Sequence, residues 1–115
     1  MPLFKLQISA SITDEKKNQE LLMALSRIAS ECIGKPEHYV MATVETTSII
    51  MSGTHADAAF AEVRSIGGLN KSVNRQISQK LCALLQESFG ITPDRVYINF
   101  TDVPAENWGW KNSTF

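Results

Sequence analysis

Proline at position 2, directly after Met1, is the residue in this sequence with the least common chemistry open to it. Removal of Met1 before a small residue leaves Pro2 with a free secondary amine at the start of the first strand. An ordinary α-amino group titrates at about 7.7 to 8.0. An apolar pocket or a nearby cation disfavours its charged form and brings it towards neutrality, where the amine can take up a proton as a general base. With Met1 in place the same nitrogen is an amide and has no basic lone pair. Taken alone, a Met-Pro start reads more simply as a passive terminus.

Other chemistry-bearing residues are sparse. The sequence holds no phosphate loop, nucleophile elbow, zinc-ligand spacing or calcium loop, and His38 and His55 have no partners at ligand spacing. Both histidines read as surface or loop residues. Cys32 and Cys82 sit inside apolar helical patterns and read as buried free thiols. Lys35 follows a helix-ending glycine, where a cation opposes the helix dipole. Tyr97 and Asn99, two residues apart, share one face of a strand.

The elements that must carry these residues are legible from periodicity. Residues 3 to 10 alternate, Phe4, Leu6 and Ile8 against Lys5, Gln7 and Ser9, as a strand with one buried face does. Thr13 is the expected N-cap of a helix, with Asp14 and Glu15 in its first turn. Leu21, Leu25, Ile28 and Cys32 recur at helical spacing until Gly34 and Pro36 stop the helix. Residues 39 to 47 read as a second strand, running on to a short Ile49–Met51 strand before Gly53. A short strand around Val63–Ile66, a helix from Lys71 to Phe89 and a strand from Arg95 to Thr101 repeat the plan. The repeat shows directly: Gly34 and Pro36 precede Tyr39-Val40-Met41 as Gly90 and Pro93 precede Val96-Tyr97-Ile98.

The expected fold is therefore α+β: a duplicated β-α-β unit forming a four-stranded mixed sheet with two helices on one face, as a single domain over residues 1–115. The other face would carry Gln7, Ser9, Tyr97, Asn99 and Thr101, too polar for a core yet small and uncharged for an open surface. Sheets packed around a symmetry axis would cover it. The tail from Ala105 to Phe115, with Trp108, Trp110 and Phe115, must also dock, and a neighbouring subunit is its natural support.

At 43% hydrophobic residues the 115-residue chain has apolar content for one core. Eleven basic against twelve acidic residues give a net charge of −1, which offers no footprint for nucleic acid or an anionic membrane. RNA-binding modules are also built from duplicated β-α-β units, but the aromatic strand motif they use is missing. The apolar stretch Leu3–Ala10 is far below the roughly 20 residues of a membrane span and lacks the layout of a signal peptide. A cytoplasmic, reduced protein is expected, with non-classical secretion as the other route.

Several separate segments together resemble the macrophage migration inhibitory factor family. They are Met1-Pro2, Gly34-Lys35-Pro36 with Tyr39, Ser65-Ile66-Gly67, Asn74-Arg75, the run Leu81 to Asp102 centred on Pro93-Asp94-Arg95-Val96-Tyr97-Ile98-Asn99, and the ending Gly109-Trp110-Lys111-Asn112-Ser113-Thr114-Phe115. The resemblance covers the whole chain. It implies the tautomerase fold, a homotrimer with strands around a central channel, and active sites between subunits. It further implies keto-enol tautomerase activity on small aromatic 2-keto acids or their enols, phenylpyruvate being the type substrate, with no cofactor.

By the same resemblance Pro2 is the catalytic base and acid. Lys35 holds the substrate carboxylate and lowers the proline pKa, and Ser65 and the Ile66 backbone lie at the substrate. Tyr97 and Asn99 come from the adjacent subunit, while Tyr39 is a pocket wall. The Tyr97/Asn99 pair favours this branch over the D-dopachrome tautomerase branch. Three departures stand out. Ala58 and Ala61 replace the Cys-x-x-Cys motif found in many animal members, which argues against thiol oxidoreductase activity. Gly68, Asn70 and Lys71 alter the substrate-side loop. Trp108 takes the place of a smaller aliphatic residue at the pocket, either narrowing its mouth, stacking on an aromatic substrate or packing on the next subunit. The family also includes secreted cytokines, so a protein-binding module with a weak or vestigial tautomerase site and a protein receptor as partner is the alternative function.

Overall fold

The computed structural model describes residues 1–115. Strand β1, Leu3–Ile8, buries Phe4, Leu6 and Ile8 and leaves the alternate residues on the opposite face, as its pattern dictates. Helix α1, Glu15–Ile33, buries Leu21, Leu25, Ala29 and Ile33, one residue per turn. Its N-cap is Asp14 rather than Thr13: the Asp14 carboxylate accepts the Lys16 N–H at 3.0 Å, a charged acceptor at the positive end of the helix dipole. Gly34 ends α1 in the left-handed region at φ +77°, and its N–H returns to the Ser30 carbonyl.

Strand β2 is Met41–Thr46, shorter than the expected 39–47. Pro36 initiates a 3₁₀ turn over Glu37–Tyr39 that takes Tyr39 out of the sheet. The expected Ile49–Met51 strand is instead one limb of a tight turn. Ser52 and Gly53 both have positive φ, and Met51 bridges Thr54, as in a two-residue turn with both central residues left-handed. Strand β3 spans Ala59–Ser65 rather than residues 63–66. Its opening Ala-Phe-Ala has little β-branched signal, and antiparallel pairing with β1 supplies the order. Helix α2, Lys71–Phe89, has the expected bounds, capped by Asn70 and ended by Gly90. Strand β4, Val96–Asp102, begins one residue late because Pro93–Arg95 form a 3₁₀ turn.

The sheet order is β2-β1-β3-β4, with β1 and β2 parallel, β3 and β4 parallel, and the two units joined by antiparallel β1 and β3. This is the expected duplicated β-α-β arrangement. Phe4, Leu6 and Ile8 pair with Ala42, Val44 and Thr46 on one side and with Val63, Ala61 and Ala59 on the other. Phe4, Leu6, Ile8, Ala59, Ala61 and Val63 build the core with Leu25, Ile77, Leu81 and Leu85 of the helices, and Ala42 and Val44 pack against it. Ala58 and Ala61 are fully buried, so the positions of the missing cysteines carry core alanines. Cys32 and Cys82 are free but only partly buried, and burial pushes both thiols up.

The opposite face holds three cross-strand rows. These are Met41-Leu3-Arg64-Thr101, Thr43-Lys5-Glu62-Asn99 and Glu45-Gln7-Phe60-Tyr97. It is more charged than expected: Lys5 and Arg64 both reach Glu62, at 3.8 and 3.2 Å. The difference follows in part from the length of β3, which adds Phe60 and Glu62 to the face beside Arg64. Ser9 leaves the face, its hydroxyl donating to the Ala58 carbonyl and accepting the Ala58 N–H. The tail residues border these rows at Leu3 and Met41, and the 49–52 turn borders them at Phe60 and Tyr97, but neither helix covers them.

The tail folds onto its own chain. Strands β5, Gly109–Trp110, and β6, Ser113–Thr114, form a hairpin across Lys111 and Asn112, both at positive φ. The rings of Trp110 and Phe115 stack at 4.9 Å and meet Tyr39 edge-on at 5.8 and 6.3 Å. Within its own chain the tail thus docks on Tyr39, and Trp110 remains 48% exposed.

Candidate active site

Pro2 sits just before β1, and its carbonyl accepts the Met41 N–H at 3.0 Å, extending the β1–β2 ladder by one rung. That rung fixes Pro2 against β2, and its side chain is fully buried. Above it lies a groove of about 420 Å³. Met1, Pro2 and Leu3 line it together with His38, Tyr39 and Met41 and with the tail residues Trp108, Trp110 and Phe115. Two folding events make the groove: the 3₁₀ turn that expels Tyr39 from β2, and the hairpin that brings the tail rings back over it. Trp108 is fixed at the hairpin's base, its N–H bonded to the Ala105 carbonyl and its carbonyl to the Phe115 N–H.

The terminal amine, carried here by Met1, is held below its ordinary range, first by burial and second by the Lys35 charge. Both causes disfavour a cation. Lys35 is placed by the end of α1: its N–H donates to the Ser30 carbonyl at 3.2 Å and its own carbonyl accepts the Ser30 hydroxyl at 2.6 Å. The helix cap thereby delivers a lysine towards the amine. Lys35 is not on the groove lining itself.

A third structure closes this end of the sheet. Leu3 pairs with Arg64, so Ser65, the last residue of β3, follows opposite Pro2. Ser65 is fully buried and its hydroxyl donates to the Gly67 carbonyl at 2.7 Å. Its side chain therefore shapes the loop from within. The Gly67 N–H donates to the Asp102 carboxylate at 2.9 Å, and the Val103 N–H donates to the Ser65 carbonyl. Ile66 lies between these anchors, partly exposed.

The chain brings Pro2, Tyr39 and Trp108 together on one groove, with Lys35 acting on the amine and Ile66 at the neighbouring loop. It does not bring Tyr97 or Asn99 there. Tyr97 is 67% exposed and borders a separate apolar pocket of about 330 Å³ with Ile49, Ile50, Met51 and Phe60. Asn99, on the same face, accepts a long 3.4 Å hydrogen bond from Thr101. Trp110 and Phe115 are groove residues that sequence reasoning placed elsewhere. Lys111-Asn112 between the two aromatic segments was the available turn signal.

Fold and site together define a class: a duplicated β-α-β protein whose N-terminal proline lies buried under an aromatic groove. The sequence profile described as "Macrophage migration inhibitory factor (MIF)" matches residues 1–115. The chain is 34% identical to the macrophage migration inhibitory factor of Mus musculus, covering 100% of this chain and 99% of that one. It is 34% identical to the homolog from Trichuris trichiura, with 100% of both covered. Among solved structures it is similar to the macrophage migration inhibitory factor-like protein of Entamoeba histolytica, with a TM-score of 0.93 and 36% identity over 99% of this chain and 98% of that one. The homologue from Prochlorococcus marinus gives a TM-score of 0.87 and 37% identity over 98% of both. The chain belongs to the macrophage migration inhibitory factor family. That family lies in the tautomerase superfamily, which points to an isomerase kind of activity.

Proposed function

We propose that this protein is a keto-enol tautomerase of the phenylpyruvate type, with the Pro2 amine, freed by loss of Met1, as its acid and base. The observation that carries the reading is the position of Pro2: buried in the lining of an aromatic groove, where the chain's terminal amine is already depressed by burial and by Lys35. A neutral amine in this place takes the proton from the carbon next to the keto group. The electron pair of the broken C–H bond forms the C=C bond, and the carbonyl oxygen receives a proton to give the enol; the reverse path ketonises it. Lys35 matches a point charge for the substrate carboxylate, and the Ile66 peptide a fixed polar contact beside the developing oxyanion. Tyr39, Trp108, Trp110 and Phe115 suit an aromatic side group.

The assembly in this reading is a homotrimer with active sites between subunits. Its support is the sheet face that neither helix covers, and the exposed Tyr97 and Asn99, which fit residues donated to a neighbour's Pro2 groove. The deciding experiment is ketonisation of enol-phenylpyruvate by protein whose mass confirms loss of Met1, beside an equally processed Pro2→Ala variant. Activity lost in the variant supports the base. Equal activity in both moves the chemistry to another group, and inactivity of both favours the protein-binding alternative with a receptor as partner.

A further inference from the structure

We propose that Asp102 is a positioning residue for this reaction: through the Ser65–Gly68 loop it fixes both the Ile66 peptide and the side chain of Lys35 beside the N-terminal amine. The inference rests on the Pro2 reading above and adds to it a residue at the far edge of the sheet, at the end of β4.

The links are physical and continuous. Asp102 pairs with Ser65 in the β3–β4 register, and its carboxylate accepts the Gly67 N–H at 2.9 Å. The loop's other tethers are the Ser65 hydroxyl on the Gly67 carbonyl and the Val103 N–H on the Ser65 carbonyl. Ile66 is therefore held between two anchored residues, and the orientation of its peptide is set by them. Gly67 and Gly68 both take positive φ, +69° and +80°, so the loop folds tightly back. Gly68 then lies against the end of α1: a Cβ there would stand 2.7 Å from Ile33 Cγ2, 3.1 Å from the Ile33 carbonyl and 3.5 Å from Lys35 Cε. The Lys35 stem rests on a surface that exists because residue 68 has no side chain and because Asp102 holds the loop in place. A lysine stem has four rotatable carbons, and a wall on one side narrows the positions its ammonium can take.

The ionisable groups around the amine separate this role from a direct electrostatic one. Lys35 is the charge that acts on the amine, His38 and Tyr39 line the groove beside it, Arg64 lies on β3 opposite Leu3, and Asp102 stands two strands from β1 at the end of β4. A carboxylate acting directly on the amine favours its charged form, so losing the Asp102 charge would move the amine pKa down. Releasing Lys35 moves it up. The two mechanisms predict opposite signs.

The test uses the Met1-free protein labelled with ¹⁵N-proline, with the Pro2 amine titrated by NMR in wild type, Asp102→Ala, Asp102→Asn, Gly68→Ala and Lys35→Met. The readout needs no turnover, so failure of the tautomerase reading leaves it intact. Lys35→Met marks the shift produced by complete loss of the cation. Asp102→Ala and Gly68→Ala are expected to move the amine upward towards that mark, and Asp102→Asn, which keeps an acceptor oxygen, to stay near wild type or fall slightly. In the enol-phenylpyruvate assay Asp102→Ala is expected to raise KM about 5- to 10-fold with kcat changed less than about 2-fold, as for lost binding shared by ground and transition states. A downward or absent shift in Asp102→Ala overturns the proposal; should that variant not fold, an unmoved amine in Gly68→Ala overturns it.

Discussion

Pro2 and Tyr97 stand at opposite ends of one sheet. Tyr97 pairs with Phe60, which pairs with Gln7, five residues beyond Pro2 along β1. At the rise of a strand this is about 17 Å, before the width of two strand spacings is added. Tyr97 therefore cannot reach the groove above Pro2 in its own chain, and any shared site needs a second copy.

Mixed assemblies should show this directly. A Pro2→Ala chain and a Tyr97→Ala/Asn99→Ala chain, each inactive alone, are expected to regain activity after being unfolded and refolded together. With random mixing around a ring, about one site in four pairs an intact Pro2 with an intact neighbour face. Recovery near a quarter of wild-type activity supports the shared site; no recovery, with mixed oligomers verified by mass, removes it.

The pH profile follows from the depressed amine. Burial and Lys35 lower the pKa of the terminal amine at Met1; a Pro2 amine freed under the same two influences should stay neutral further into acid than an ordinary terminus, with kcat/KM falling only as pH drops through the lowered value. Lys35→Gln should carry the acidic limb to higher pH and raise KM for a carboxylate substrate. A limb that stays in place would show that Lys35 does not act on the base.

Trp108 lines the groove beside Trp110 and Phe115. Trp108→Val should open that wall and favour bulkier aryl 2-keto acids, with KM for them falling more than KM for phenylpyruvate. Equal changes across a substrate series would place the Trp108 ring outside the bound ligand's reach.

Arg95 organises the loop next to Tyr97. Its guanidinium donates to the carbonyls of Met51 and Ala56 at 2.8 and 2.7 Å, and more weakly to Thr54 and Asp57. Arg95→Ala should cost about 1 to 2 kcal/mol in urea unfolding, since the freed carbonyls are near solvent and water takes part of the place of the lost donors. Arg95→Lys should recover some of it, a point cation being unable to span four acceptors. Hydrogen exchange should rise first in residues 51–57.

Gly34 and Gly68 separate backbone strain from crowding. Both have positive φ, but a Cβ at Gly34 meets nothing within 4 Å while one at Gly68 runs into Ile33. Gly34→Ala should cost roughly 1 to 2 kcal/mol from the left-handed backbone alone. Gly68→Ala should cost more, and parallel urea titrations of the two variants would measure the difference.

Much of the fold was legible because it is local. The alternation in β1, the four-residue spacing from Leu21 to Ala29, the glycine stops at 34 and 90 and the prolines that follow them at 36 and 93 each depend on a few neighbouring residues, and they led to the sheet and helices found. Pro2, Lys35 and Tyr39 were also readable as candidates, from the terminal amine and from family resemblance. What the tertiary structure decided is whatever depends on partners distant in the chain. β3 begins at Ala59 because β1 is there to pair with it, not because Ala-Phe-Ala favours a strand. Ser65 is spent on Gly67, and Asp102 holds that same loop from 35 residues away. Trp110 and Phe115 join the groove because a two-residue hairpin turns them back onto Tyr39. Periodicity reports which face of an element is buried; it carries no term for which segment arrives to cover that face, and the groove above Pro2 is made by such arrivals.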